Sequence, residues 1–98
     1  MKAILKKPGQ QPELIDVEAT QEGLFELLGG EWDGAPALFG AMVLCRSVDE
    51  GLVYNCHFLG RHFYGNVLVV GRDKGDKPCD VPEQLHRILM MALREGKR

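Results

Sequence analysis

The sequence predicts a single α+β domain, with one mixed or mostly antiparallel sheet of about five strands and two helices packed on it. Three observations lead to this fold class. The 98 residues suit one domain, and their apolar content of 45% is ordinary for a globular protein. An unbroken apolar run at residues 67–70 predicts a central strand that is covered on both faces. Two segments with helical spacing stand apart from several consecutive strand segments.

The first 30 residues predict a β-hairpin followed by a short helix. Residues 2–6 form the first strand, a Pro-Gly pair supplies the turn, and residues 13–18 alternate between apolar and acidic side chains. Thr20 suits the N-cap of a helix, and Gly29 can end that helix in the left-handed conformation. The apolar residues at helical spacing are Leu24, Phe25, Leu27 and Leu28.

The middle of the chain predicts strands joined by turns. Residues 31–38 are ambiguous, because Trp32 suits a partly buried anchor and a turn is expected at residues 34–36. Two strand segments then follow, joined by a reversal. These segments are residues 40–45 and 52–58, and the reversal covers residues 48–51.

The last third predicts a loop, the central strand, a second loop and a helix. The two loops are expected at residues 60–65 and 72–79. Asp80 and Glu83 have the spacing of a capping box, so we expect the helix to start at Asp80. Its apolar face holds Leu85, Ile88, Leu89 and Ala92, and Met90, Met91 and Leu93 widen it. The domain is expected to cover residues 1–94, with a frayed tail at residues 95–98.

Composition excludes several classes of function. The net charge is −2 and no strongly basic patch occurs, which argues against nucleic acid as a partner. No apolar run reaches the length of a membrane span or a signal peptide, so no membrane association is expected. The cysteine number, three, is odd and sparse, as in a reduced cytoplasmic protein.

The usual catalytic and metal-binding patterns are absent from the sequence. There is no C-x-x-C pair and no H-x-x-x-H pair, although zinc sites favour such short spacings. Cys56 precedes His57 directly, and adjacent strand residues point to opposite faces, so the imidazole is poorly placed to activate the thiol. We therefore predict no catalytic residue, no metal and no cofactor.

One polar and aromatic segment, residues 55–64, is the best candidate for binding. Such side chains can stack on a base, hold a phosphate or anchor a protein partner. The open alternative is that Phe63 and Tyr64 fill the core while the other side chains are solvated. The candidate binding residues are Asn55, His57, Arg61, His62 and Tyr64.

Four blocks of the sequence resemble, in order and spacing, the family known as domain of unknown function 3846, over most of residues 1–90. Trp32 stands where that family usually has tyrosine, and Cys56 where arginine often follows the asparagine. The resemblance implies an α+β fold in a small protein of bacteria, phages or mobile elements, without an assigned activity. The blocks are Met1 to Leu5 with Lys7-Pro8-Gly9, Leu28 to Trp32, Asp49 to Leu52 with Asn55, and Phe63 to Gly71.

Two functional hypotheses follow from the sequence. The first is a small non-enzymatic accessory protein that binds a protein partner or a small ligand. The alternative is a nucleotide-handling or small-molecule enzyme, with a shallow site around His57, Arg61 and His62 at a subunit junction. A homodimer is also predicted as a hypothesis, since the exposed part of the Met90, Met91 and Leu93 arc could pair subunits.

Overall fold

The computed structural model describes residues 1–95 of the protein. The predicted tail lies outside the described residues, apart from the backbone of Glu95, which ends a helix. The strands are β1 (Lys2–Lys6), β2 (Glu13–Asp16), β3 (Trp32–Pro36), β4 (Ala41–Arg46), β5 (Tyr54–Phe58), β6 (Arg61–Tyr64), β7 (Val67–Arg72) and β8 (Pro78–Cys79). The helices are α1 (Gln21–Leu28) and α2 (His86–Glu95), and a 3-10 turn (Glu83–Leu85) precedes α2.

An antiparallel six-stranded sheet forms the centre of the domain. Its strand order is β2-β1-β7-β4-β3, and the short β8 pairs with the end of β7. Strands β5 and β6 form a separate two-stranded hairpin. The α+β class and the mostly antiparallel sheet are therefore confirmed, while the second sheet was not expected from the sequence.

Strand β7 is the buried middle of this architecture, as the apolar run predicted. Leu68 and Val70 share a buried cluster with residues of α1 on one face of the sheet. Val67 and Val69 face the other side, where they share a cluster with α2 and with the inner side of the β5–β6 hairpin. Because consecutive strand residues alternate between faces, a strand covered on both sides must be apolar throughout.

Local signals place α1 as predicted. The Thr20 hydroxyl accepts a hydrogen bond from the Gly23 backbone N–H at 2.9 Å, which caps the first turn. Gly29 has φ 87° and its N–H donates to the Phe25 carbonyl at 2.9 Å. The ambiguous segment at residues 31–38 contains β3, so the prediction of a turn at residues 34–36 is wrong. The chain reverses between Pro36 and Ala41 instead.

The loop predicted at residues 60–65 is also wrong, because residues 61–64 form strand β6. A two-residue turn joins β5 to β6, with φ 53° at Leu59 and φ 74° at Gly60. Positive φ at both central residues matches the twist of a tight hairpin. Leucine rarely takes this position, so the turn gave no recognisable signal in the sequence.

The start of the last helix differs from the prediction. The Asp80 carboxylate accepts a hydrogen bond from the Lys2 backbone N–H at 2.9 Å, and Val81 N–H donates to the Lys2 carbonyl at 2.9 Å. These bonds hold residues 80–81 extended beside β1, so the helical conformation begins only at Glu83. Of the arc proposed to pair subunits, Leu93 is buried, Met90 is half-buried and Met91 is exposed.

Within residues 1–95, no helix has the length and apolar character needed to span a membrane.

Candidate binding surface

The five candidate residues all lie on the β5–β6 hairpin, which packs its inner side on the main sheet. Cys56, Phe58 and Phe63 point inward and join the core beneath β7. Because side chains alternate along a strand, His57 and His62 point outward instead, and both are exposed. The strands therefore separate an apolar inner side from a polar, aromatic outer side.

Four rings meet on the outer side of the hairpin, and we call them the ring face: Tyr54, His57, His62 and Tyr64. His57 pairs with His62 across the strands, and Tyr54 pairs with Tyr64. The two imidazoles stack with centroids 4.6 Å apart, and the two phenol rings meet edge to face at 5.4 Å. Such contacts hold the rings in a fixed arrangement. Tyr54 was missed by the sequence analysis.

A hydrogen bond also links the two ring pairs. Tyr54 Oη lies 3.0 Å from His62 Nδ1, and the ring centroids are 5.7 Å apart. When the tyrosine hydroxyl donates, Nδ1 accepts and the neutral imidazole carries its proton on Nε2. The ring face then presents an N–H donor from His62 beside the apolar ring surfaces.

Asn55 has a different position, because it is buried at a β-bulge. The strand register shifts between Tyr54 and Cys56, so Asn55 points inward like its neighbour Cys56. Its Nδ2 donates to the carbonyls of Lys6 at 2.7 Å and Gly65 at 2.6 Å. Its Oδ1 accepts from Lys6 Nζ at 3.0 Å. Asn55 thus fixes the hairpin to the end of β1.

Arg61 does not join the ring face. Its guanidinium donates to Cys45 Sγ at 3.6 Å and lies 4.8 Å from the centroid of the Phe63 ring. Arg61 follows the inward side of β6, whereas the adjacent His62 points outward. The structure therefore brings His57, His62 and Tyr64 together and separates Arg61 from them.

The thiols near the hairpin are poorly suited to nucleophilic chemistry. Burial raises the pKa of the Cys56 thiol, and the nearby Lys6 ammonium opposes that effect. Burial also raises the pKa of Cys45, although the Arg61 guanidinium acts in the opposite direction. A raised pKa keeps a thiol protonated at neutral pH, and the thiolate is the nucleophilic form. Within residues 1–95, no group of three potential metal ligands is found.

The ring face is not part of the clefts found on this molecule. Five shallow clefts of about 270 to 470 Å³ lie elsewhere, several of them along α1. None of the five is lined by a residue of the ring face or by Arg61.

Comparison with known proteins connects this chain to one family. A family model described as "Domain of unknown function (DUF3846)" matches residues 1–93. No match was found among curated proteins or among solved structures. The matched range includes the whole hairpin and both buried clusters, which confirms the resemblance derived from four short blocks.

Proposed function

Since the chain belongs to the DUF3846 family, whose description assigns no activity, we propose from its structure that it is a non-enzymatic module that binds a protein partner through the ring face. The observation that carries the proposal is the meeting of four rings on the outer side of the hairpin. His57 and His62 are exposed, and Tyr54 and Tyr64 are half-buried. These four side chains belong to neither buried cluster, whereas the inward residues Cys56, Phe58 and Phe63 belong to one of them.

The chemistry of the ring face suits a protein surface. Tyrosine rings offer a large contact area with little loss of side-chain entropy, and tyrosine is frequent among the residues that dominate interface energies. His62 adds a directional hydrogen bond donor beside them when its proton is on Nε2. Small molecules prefer concave sites that surround most of their surface. None of the five clefts described above is lined by a residue of the ring face, which favours a protein partner over a small ligand.

The hairpin is held rigidly, which favours binding. Asn55 joins it to β1 and to Gly65, and the Gly65 N–H donates to the Val53 carbonyl at 2.8 Å. A surface that is already ordered loses less conformational entropy when a partner binds. Val53 and Leu59 lie at the two ends of the hairpin and are 70% and 48% exposed. Both residues add exposed apolar surface at the ends of the hairpin.

The alternative of an enzyme site at His57, Arg61 and His62 has less support. Catalytic side chains need to converge on one reacting atom. The two imidazoles stack on the outer side of the hairpin, but the Arg61 guanidinium contacts Cys45 and Phe63 toward the sheet. At a subunit junction, a guanidinium facing the two imidazoles would have to come from a second chain.

The proposal is tested by comparing interface variants of one purified complex. A partner captured from the source organism is purified, and its affinity is measured for the wild type and for His57→Ala/His62→Ala. We expect binding at least about tenfold weaker for this variant, as for residues at the centre of an interface. Phe39→Ala is the matched control, because Phe39 is 88% exposed and lies outside the hairpin.

The control decides how the result is interpreted. Phe39→Ala is expected to bind as tightly as the wild type, and circular dichroism should show that each variant is folded. A hairpin variant that binds with unchanged affinity would contradict the proposal. Equal weakening by the Phe39 variant would show that exposed aromatic area, rather than the ring face, governs binding.

The proposal includes two expectations about context. Three free thiols suit a reducing compartment such as the cytoplasm. A homodimer would use the exposed Met91 on α2 together with Ile88, one turn before it. Light scattering over a range of concentrations checks this pairing, and a monomer at every concentration would exclude it.

A further inference from the structure

A second surface, formed by α1 and β3, contains two aromatic side chains. Phe25 of α1 is 49% exposed, and Trp32 of β3 is half-buried beside the core. Both line a cleft of about 360 Å³ that we call the aromatic cleft. The other lining residues are Gln21, Glu31, Asp33 and Ser47. Because α1 covers the sheet face opposite the hairpin, this cleft is separate from the ring face.

Acidic residues surround the aromatic cleft. Phe25 also lines a neighbouring cleft along α1, together with Gln21, Glu22 and Glu26. The two clefts are lined by Glu22, Glu26, Glu31 and Asp33, and no lysine, arginine or histidine lines either of them. Asp33 stands opposite Cys45, on the other face of the sheet, and acts on that thiol, so the charge beside the aromatic rings comes from the three glutamates. Among the described residues, the ion pairs found involve Asp16 and Asp76, so these four carboxylates are not neutralised by a salt bridge.

The nearest cations of the protein do not occupy the aromatic rings. Arg46 Nε donates to the Glu31 carbonyl at 3.3 Å, and its guanidinium packs where a Cβ on Gly30 would stand. Lys77 lines a different cleft, on another side of Trp32. In the described part of the chain, the cation found over an aromatic face is Arg61, above Phe63. No cation of the described residues therefore stacks on Phe25 or Trp32, since Arg46, which stands opposite Trp32 in the β3–β4 register, holds its guanidinium beside Gly30 and Glu31.

We propose that the aromatic cleft binds an arginine side chain of a peptide segment in a partner protein. A guanidinium group is planar and weakly hydrated, so it stacks on aromatic faces and tolerates partial loss of water. The nearby exposed carboxylates attract that charge and speed its association. The cleft is open and continues along α1, which suits a chain segment that passes over the surface.

Trp32 provides a direct test, because it is the single tryptophan of the chain. Its fluorescence is followed during titration with an acetylated, amidated five-residue peptide that has one central arginine between glycines. Titration extends to about 10 mM, since one shallow contact gives only millimolar affinity. We expect a saturable change with this peptide and none with the same peptide containing citrulline, which has the same shape without the charge.

Two sets of variants separate the cleft from the general charge of the protein. Glu26→Gln/Glu31→Gln should weaken arginine peptide binding by about threefold to tenfold, since it removes two nearby charges. Glu13→Gln/Glu83→Gln removes the same charge from β2 and from the turn before α2, and should leave the affinity unchanged. Phe25→Leu should weaken binding about threefold through loss of the cation–π contact, while Trp32 still reports.

Several outcomes would overturn the proposal. An equal response to the citrulline peptide would show that charge is not recognised. Equal weakening by both charge variants would show attraction to the whole protein rather than to the cleft. N-propylguanidinium, a free guanidinium compound with a single charge like the peptide, is expected to bind more weakly than the peptide, and equal affinity would indicate a site for small organic cations instead. Thermal unfolding of each variant confirms that it is folded before binding is compared.

Discussion

A single asparagine holds the β5–β6 hairpin in place. Asn55 is 3% exposed and lies in an inner layer that is apolar apart from this residue and Lys6. Its amide donates to two backbone carbonyls and accepts from Lys6 Nζ, so all of its hydrogen bonds link different segments of the chain. A buried amide of this kind is stabilising only while each of its bonds is made.

Asn55→Ala should therefore destabilise the protein strongly. We expect a loss of about 3 kcal/mol in the free energy of unfolding, because three buried or partly buried hydrogen bonds disappear together. Asn66→Ala is the matched control, since Asn66 Nδ2 makes one bond, to the Leu27 carbonyl at 2.9 Å. It should lose only about 1 kcal/mol. Urea unfolding measures both, and an equal loss in the two variants would refute the bracing role of Asn55.

At the scale of elements, β7 pairs with two strands along one edge. The first half of β7 pairs with β1 and its end pairs with β8. The backbone at the end of β8 and at Asp80 passes close to Gly71 of β7. A Cβ at Gly71 would collide with the Asp80 backbone and stand 2.9 Å from Cys79 Sγ. Glycine is therefore required here for the close approach of two backbones rather than for an unusual φ.

Gly71→Ala should separate β8 from the sheet. Overpacking against backbone atoms is expected to destabilise the protein by about 2 kcal/mol. Hydrogen exchange should also become faster at the Val81 N–H, which donates to the Lys2 carbonyl at 2.9 Å. Gly75→Ala is the control, because the added Cβ would meet nothing closer than 3.5 Å. Unchanged protection of Val81 in the Gly71 variant would contradict this role.

At the scale of the whole molecule, the three thiols report how the layers pack. Cys45 on β4 and Cys56 on β5 lie in the cluster between the sheet and the hairpin, whereas Cys79 on β8 is half-buried at the periphery. Burial raises the pKa of all three, and for Cys79 the carboxylates of Asp73 and Asp80 add to this effect. Each folded thiol thus holds its proton to higher pH than the same thiol in an unfolded chain.

Alkylation by iodoacetamide at pH 8 should follow the accessibility of the three thiols. Cys79 should react first, and Cys45 and Cys56 only when the hairpin leaves the sheet or the domain unfolds, since alkylation requires an accessible thiolate. Mass spectrometry after digestion measures the rate at each residue. Cys79→Ser should then show almost no reaction until urea is added. Modification of Cys56 as fast as Cys79 in the native protein would show that the hairpin is not firmly packed.

The sequence by itself determined the features that depend on neighbouring residues. Thr20 sets the start of α1 and Gly29 sets its end, because each acts on backbone groups within one helical turn. The apolar run of β7 predicted a central strand because both of its faces had to be buried, whichever elements covered them.

Only the tertiary structure decided which segments meet. The strand that follows the reversal at residues 48–51 is β5, and it pairs with β6 rather than with β4. The bulge at Asn55 sets which side chains of that hairpin form the ring face. Asp80 accepts from Lys2, 78 residues away, rather than capping a helix. These pairings depend on contacts between residues that are far apart in the sequence. Local propensity does not encode such contacts.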